Sequence, residues 1–330
     1  MRHVLVTGGA GYVGSELVPR LLREKYRVSV VDLFIYGDDL LDAHENLKII
    51  KGDIRDPRVL DQAFQGDVTD VIHLACISND PSFELDPALG KSINLDSFEP
   101  LISRANATGV RRFLNASSSS VYGVKNISNV VETETLEPLT DYSKFKAMTE
   151  SIAVDFASDD FICCNVRPAT VCGYSRRQRF DVIVNILTNH AWNNGVIKLL
   201  GGEQKRPNVH INDMINAYIF LLEAPERLIN REAFNIGFEN KTVKDLGSLV
   251  QRIVADFRNS DIQIITEPSI DNRSYHINSD KIRAIGFKYN NSIEQAVVDL
   301  CERFQAGCFT DSLASSRFFN IKRMQEVRLQ

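Results

Sequence analysis

The chain has little of what would place it in several common classes. Its six cysteines, at 76, 163, 164, 172, 301 and 308, form no C-x-x-C pair and have no histidine at metal-ligand spacing. Neither a disulfide framework nor a metal site is expected, and the thiols read as small buried apolar groups. No apolar run approaches the roughly 18 residues of a membrane span; the stretch from Val28 to Tyr36 is already broken by Asp32. Met1-Arg2-His3 leads into only Val4-Leu5-Val6 before Thr7, too short for an export signal. Basic residues are not in excess, since 38 Lys and Arg stand against 43 Asp and Glu for a formal charge of -5. A nucleic-acid partner therefore has no broad cationic field to meet. Repeats and low-complexity tracts are missing too, and the expectation is a soluble, cytoplasmic protein with no membrane partner.

What remains is ordinary globular material. Of 330 residues, 44% are hydrophobic and 25% charged, enough for two domains or for one large domain with a smaller lobe. Short β-branched runs alternate with helical periods in the first half, which predicts parallel strands joined by crossover helices. The strands expected are Arg2 to Thr7, Arg27 to Asp32, Leu47 to Lys51, Val68 to Leu74, Arg112 to Ser117 and Phe161 to Arg167. Helices are expected at Gly11 to Lys25, Pro57 to Phe64, Asp96 to Thr108 and Asp141 to Ser158. Pro19 falls inside the first helix and predicts a kink or a slipped start. The fold class is α/β: a doubly wound parallel sheet over 1–167, and a smaller mixed α/β lobe from 168–207 and 238–308. Arg176-Arg177-Gln178-Arg179 reads as a charged loop before a helix at Asp181 to Asn193. Segments Asn208 to Ile211 and Ala233 to Ile236 suggest that 208–237 return to the sheet, and 309–330 read as a tail or terminal helix.

Thr7-Gly8-Gly9-Ala10-Gly11-Tyr12-Val13-Gly14 is a glycine-rich turn directly after the first strand and at the opening of the first helix. Glycines let backbone approach a pyrophosphate, and the helix N-terminus offers it unpaired N–H donors. Asp32 ends the next strand, 18 residues beyond Gly14, where a carboxylate accepts from both hydroxyls of an adenine ribose. A 2'-phosphate there would meet negative charge, so NAD is favoured over NADP. After the third strand Asp53, beside Ile54, can reach the adenine amino group, and Asp56 is placed to cap the next helix.

Tyr142 and Lys146 stand four apart on a predicted helix and so share a face. A free tyrosine titrates near 10, and lowering it to about 7 takes roughly 4 kcal/mol, which a nearby ammonium and a cationic nicotinamide together can supply. Tyr142 could then act as general base on an alcohol. Ser117-Ser118-Ser119-Ser120-Val121-Tyr122-Gly123 closes the fifth strand and puts hydroxyls at the carboxyl end of the sheet, where ligands of this architecture bind.

These residues together resemble the extended short-chain dehydrogenase/reductase family of NAD-dependent nucleotide-sugar epimerases and dehydratases, over nearly the full length. The resemblance implies a Rossmann fold, Ser118, Tyr142 and Lys146 as the catalytic set, and Gly8, Gly11, Tyr12, Val13, Gly14, Asp32, Asp53, Ile54, Leu74 and Ala75 as NAD contacts, joined by Tyr142 and Lys146. Ser119, Ser120, Thr170, Arg206 and Arg273 are implied on the side of a nucleotide-diphosphate sugar, with Arg206 on the diphosphate. A homodimer is implied through Asp96 to Thr108 and Asp141 to Ser158. The chain departs from the family in having Thr170 where Asn is frequent, and in lacking a late Arg-Pro-Gly element near Pro268-Ser269. Ser119 and Ser120 stand where related dehydratases place an Asp-Glu pair, which argues against 4,6-dehydration. The segments 77–83 and 174–185 resemble a branch associated with bacterial surface-polysaccharide sugars.

The leading expectation is oxidation at sugar C4 followed by return of hydride to the other face, an epimerisation. Net 4-dehydrogenation with tightly bound NAD(H) is the alternative. A non-catalytic dinucleotide sensor is a distant third, since fold alone does not fix function, and a sensor has no need of the Tyr142 proton relay.

Overall fold

The computed structural model describes residues 1–125, 127, 129–268 and 276–330. Six strands are laid down first: β1 (His3–Thr7), β2 (Arg27–Asp32), β3 (Leu47–Lys51), β4 (Asp70–His73), β5 (Arg112–Ala116) and β6 (Ile162–Pro168). They are followed by β7 (Thr170–Cys172), β8 (Val196–Leu200), β9 (Lys205–His210), β10 (Glu232–Ile236), β11 (Glu239–Thr242) and β12 (Gln263–Glu267). The central sheet runs β10-β6-β5-β4-β1-β2-β3 with every neighbouring pair parallel. All five residues of β1 are buried, as expected of a parallel strand covered on both faces. From β1 the chain builds outward first through β2 and β3, then on the other side through β4, β5 and β6. That reversal opens a crevice at the carboxyl ends of β1 and β4, the place where this architecture takes its ligands.

The first helix spans Gly14–Arg23, opening three residues later than the expected Gly11, and it runs on through Pro19. The carbonyl that Pro19 cannot satisfy belongs to Ser15, in the first turn. Asp56 caps the helix Pro57–Ala63 by accepting from the Arg58 N–H, as its position suggests.

The smaller lobe joins β11-β9-β7, with β9 antiparallel to β11 and parallel to β7, to a parallel pair β12-β8. Lys205–His210 thus belongs to the small sheet, and the return to the large one begins with the helix Ile211–Glu223 rather than at 208. Met214, Tyr218 and Leu221 of that helix share one apolar core with Val4 and Leu114. Helices Ile183–Asn194, Val243–Arg258 and Ile293–Gln305 pack around a separate core with Ile197 and Leu199.

Residues 309–330 are not a frayed tail. Phe309 meets Phe180 and Phe304 edge-on and Phe318 packs tilted on Phe180, Phe180 N donates to Phe318 O at 3.0 Å, and the helix Asn320–Val327 follows. The cysteine expectation holds at 163, 164, 172 and 301, which are buried; Cys308 is exposed and Cys76 half-buried.

Candidate functional site

One cleft of about 500 Å³ gathers every site residue singled out in the sequence except Arg273, which lies outside the described residues. Its floor is the turn after β1. Gly8 has φ +75°, and a Cβ there would sit 2.6 Å from Ala75 N; a Cβ on Gly14 would come within 2.4 Å of Gly8 O. Only glycine lets the turn fold this tightly against the end of β4. Gly11 N closes the turn onto Gly8 O at 3.1 Å, and the helix Gly14–Arg23 starts beside the cleft. This cradle, with three glycines and a helix N-terminus at the cleft, fits a dinucleotide pyrophosphate.

The Asp32 carboxylate accepts from Ala10 N at 2.9 Å and Phe34 N at 2.8 Å. Burial pushes its pKa up against the pull of these N–H groups. Each oxygen keeps a lone pair for a ribose hydroxyl. Asp53 also lines the cleft, but Arg55 grips both its oxygens, the nearest contact being 2.6 Å. Burial would raise Asp53; the Arg55 hydrogen bonds and charge hold it below the usual carboxylate range. An adenine amino group would share this carboxylate with a guanidinium.

At the other end, the helix Asp141–Phe156 is nucleated by a capping box between Thr140 and Ser143, and Thr140 Oγ1 donates to Asp80 at 2.6 Å. This fixes the first turn, from which Tyr142 reaches the cleft. Lys146, one turn on, is buried and donates from Nζ to Ala116 O at 2.6 Å, at the end of β5. Ser118 follows β5, and its Oγ accepts from Ser120 N at 3.1 Å and Ser120 Oγ at 2.8 Å. Ser118 lines the cleft beside the Tyr142 phenol. The expected lowering of Tyr142 is not a property of the protein by itself. Burial, then Cys76 and Asp80, push its pKa up, and Ser118 and Arg179 offset only part of this.

Behind these groups lies a buried network. Ser117 Oγ donates to Glu150, Glu150 pairs with Arg167 at 2.6 Å, and Arg167 Nη1 donates to Tyr122 OH at 2.7 Å. Tyr122 in turn donates to Asn235 Oδ1 at 2.7 Å. It ties the end of β5 to β6 and β10, so Ser118 stands on rigid ground.

Thr170, on β7, and Arg206, on β9, form the wall toward the smaller lobe, and Ser119 and Ser120 line the cleft from the short helical turn after β5. The structure adds lining residues that sequence reasoning missed: Arg177, Arg179 and Asp181 from the supposed charged loop, Asn320 and Met324 from the last helix, and Leu329 just after it. Asp80 lines the cleft too, whereas Cys172 is buried and does not. The available signal for the loop was its setting: three arginines end in Phe180, an aromatic that must be buried and so draws its neighbours inward.

A family model described as the NAD dependent epimerase/dehydratase family matches residues 4–237. An uncharacterized protein of Sinorhizobium fredii is 32% identical over 253 residues, covering 76% of this chain and 60% of its own. A probable UDP-arabinose 4-epimerase of Oryza sativa is 35% identical over 164 residues, covering 47% of this chain and 40% of its own. The chain thus spans less than two thirds of the length of these curated relatives. The crystal structure of the UDP-glucose 4-epimerase of Thermotoga maritima with UDP-glucose superposes with a TM-score of 0.84 at 25% identity, over 93% of this chain and all of that one. With the glycine cradle, the ribose carboxylate and the family match in agreement, the chain belongs to the NAD dependent epimerase/dehydratase family and its cofactor is NAD.

Proposed function

We propose that the chain is an NAD-dependent UDP-sugar 4-epimerase, with Ser118, Tyr142 and Lys146 as its catalytic residues. The carrying observation is that these three side chains line the same cleft as the glycine turn and Asp32, with Arg206 on the wall of the smaller lobe. When bound, NAD supplies a reversible hydride acceptor for the sugar carbon. Tyr142 takes the proton from the C4 hydroxyl, and Ser118, beside the phenol, holds the same oxygen. Lys146 sets the local positive charge that makes a buried phenolate tolerable. Once the sugar is a ketone it can turn in the cleft and would present the other face of C4 to the returning hydride, and Tyr142 gives its proton back to the C4 oxygen. Arg206, and Arg273 by resemblance alone, would hold the diphosphate while the sugar rotates. The UDP moiety is carried over from the relatives. A place in surface-polysaccharide assembly rests on the resemblance of segments 77–83 and 174–185.

A homodimer through the helices Phe98–Ala107 and Asp141–Phe156 belongs to the same proposal. Met148 and Val154 on the second helix are 48% and 36% exposed, apolar groups that a partner would cover. Light scattering that gives a 37.2 kDa particle at micromolar concentration would count against it.

The decisive experiment incubates the protein with a panel of UDP-sugars and follows products by mass and by NMR of the C4 proton. A C4 epimer of unchanged mass is expected. Loss of two hydrogens would mean net 4-dehydrogenation, and loss of water would mean that Asp80 supplies chemistry that Ser119 and Ser120 do not.

A further inference from the structure

The reaction leaves two buried cations unexplained. Arg177 is 3% exposed, and its Nε and Nη1 have no hydrogen-bond partner among the described residues. Its remaining nitrogen, Nη2, donates to Asn320 Oδ1. The guanidinium lies flat near Tyr36, 3.5 Å from the ring centroid. Arg179 donates from Nε to Asp181 at 2.8 Å and from Nη1 to Ser78 Oγ at 3.3 Å, while its Nη2 is buried without a partner. Two guanidiniums therefore share one directly bonded carboxylate, and three buried nitrogens stay unsatisfied in a cleft both residues line. A buried charge without a partner costs several kcal/mol, so folding alone gives no reason to keep this arrangement. Burial pushes Arg177 below the usual arginine range, yet a guanidinium keeps its proton.

The segment that carries them is stitched to the glycine turn. Arg177 N donates to Ser15 Oγ at 3.2 Å, Ser15 Oγ contacts Ser175 Oγ at 2.9 Å, and Ser175 Oγ donates to Tyr12 O at 2.7 Å. Arg177 is thus held beside the first turn of the helix Gly14–Arg23, whose N-terminus attracts anions.

The geometry points to Arg177 and Arg179 as direct ligands of the NAD diphosphate, a side-chain counterpart to the glycine turn. A diphosphate brings two negative charges and unshared oxygens to three idle donors, and a guanidinium can grip two such oxygens at once. This rests on NAD occupying the cleft. A nucleotide sugar also carries a diphosphate, and the position beside Tyr12, Ser15 and Tyr36 favours the cofactor's.

The test measures binding by calorimetry to full-length protein stripped of nucleotide, using ADP-ribose, which keeps the diphosphate, and adenosine, which lacks it. Arg177→Met and Arg179→Met are each expected to weaken ADP-ribose by roughly tenfold to a hundredfold and to leave adenosine binding unchanged. Arg177→Met should also raise the Tm of the stripped protein, because it removes an unpaired buried charge; a merely structural arginine would lower it. Should Arg177→Met fail to fold, Arg179→Met carries the same binding comparison. Unchanged ADP-ribose affinity in the folded variants overturns the inference. So does a loss confined to UDP, measured on NADH-loaded protein, which would move the pair to the substrate's diphosphate. If the wild-type protein binds no ADP-ribose at all, the cofactor reading itself fails, an outcome distinct from the other two.

Discussion

The two walls of the cleft face one space but are built in different ways. The wall from β1, β2, β4 and β5 takes its shape from backbone: a turn that only glycine permits, a carboxylate on the last residue of a strand, hydroxyls where β5 ends. The opposite wall, from residues 174–181 and 318–329, is made of side chains that hold each other across the sequence. Asn320 alone bonds to Tyr36, Ser78, Arg177 and Asp181, separated from it by 284, 242, 143 and 139 residues. The first wall is set by strand order and is as stable as the sheet. The second depends on a few hydrogen bonds and on the Phe180–Phe318 aromatic cluster, so it is the one expected to open at lower cost.

The sharpest way to break this comparison is at the chemistry, which the proposal assigns wholly to the first wall. Tyr142→Phe removes one oxygen and is expected to lower turnover by roughly 10² to 10⁴ with NAD still bound, as read from the nucleotide released on denaturation. Near-normal turnover would take the tyrosine out of the mechanism.

A second blow aims beneath the first wall. His73 is buried under the glycine turn with Nδ1 2.7 Å from Thr7 Oγ1. Burial, and after it the Lys146 charge, push its pKa down to about 3 from 6.5. Above pH 6.5 it is neutral in both folded and unfolded states and has no effect on the balance. Below that, the unfolded chain takes up a proton that the folded chain refuses, so stability falls as pH drops toward 3. The full loss from this group is on the order of 5 kcal/mol. His3 is also pushed down, to about 4, so the comparison must be with His73→Gln. Urea unfolding at pH 7 and pH 4.5 should show a flatter pH dependence in the variant. An equal slope would mean that His73 protonates without strain.

The same contrast explains what the sequence made legible. Val4-Leu5-Val6 before a glycine turn, and Asp32 at the end of the next apolar run, are local patterns whose geometry follows from the chain itself. Every strand of the first half was therefore found to within two residues. Arg177 and Arg179 looked like a solvated loop because burying them requires Phe180 to meet Phe304, Phe309 and Phe318, more than a hundred residues away. The last helix was ambiguous for a related reason: its apolar face shows only when Ile77 and Phe83 are there to cover Met324. β7 is three residues long, below what periodicity can detect.

On the wall of the smaller lobe, Arg206→Ala should raise KM for the nucleotide sugar by roughly tenfold, the scale of one charge-assisted hydrogen bond, and leave the NAD content as it was. An unchanged KM would make Arg206 a surface residue that merely borders the cleft, and would narrow the substrate wall to Thr170 and the serines.

The smallest effect is expected where the second wall is thinnest. Asn320 receives the Tyr36 hydroxyl at 3.0 Å and the Arg177 guanidinium on one oxygen, and it donates to Ser78 Oγ at 3.0 Å from its amide nitrogen. Its backbone N–H reaches Asp181 at 2.9 Å, a contact that survives side-chain truncation. Asn320→Ala thus removes four side-chain bonds, the fourth from the amide nitrogen to Ser78 O at 3.4 Å, and leaves the helix Asn320–Val327 tethered by its backbone, by Arg323 to Ile35 O and by Met324 in its apolar pocket. Because those remaining tethers resist full opening, only part of the closing energy is lost, about 1 kcal/mol net. That corresponds to a several-fold faster release of bound NADH, followed by its fluorescence after a chase with excess NAD. An unchanged release rate would show that the last helix only fills space, and the two walls would then differ in construction but not in what they do for the cofactor.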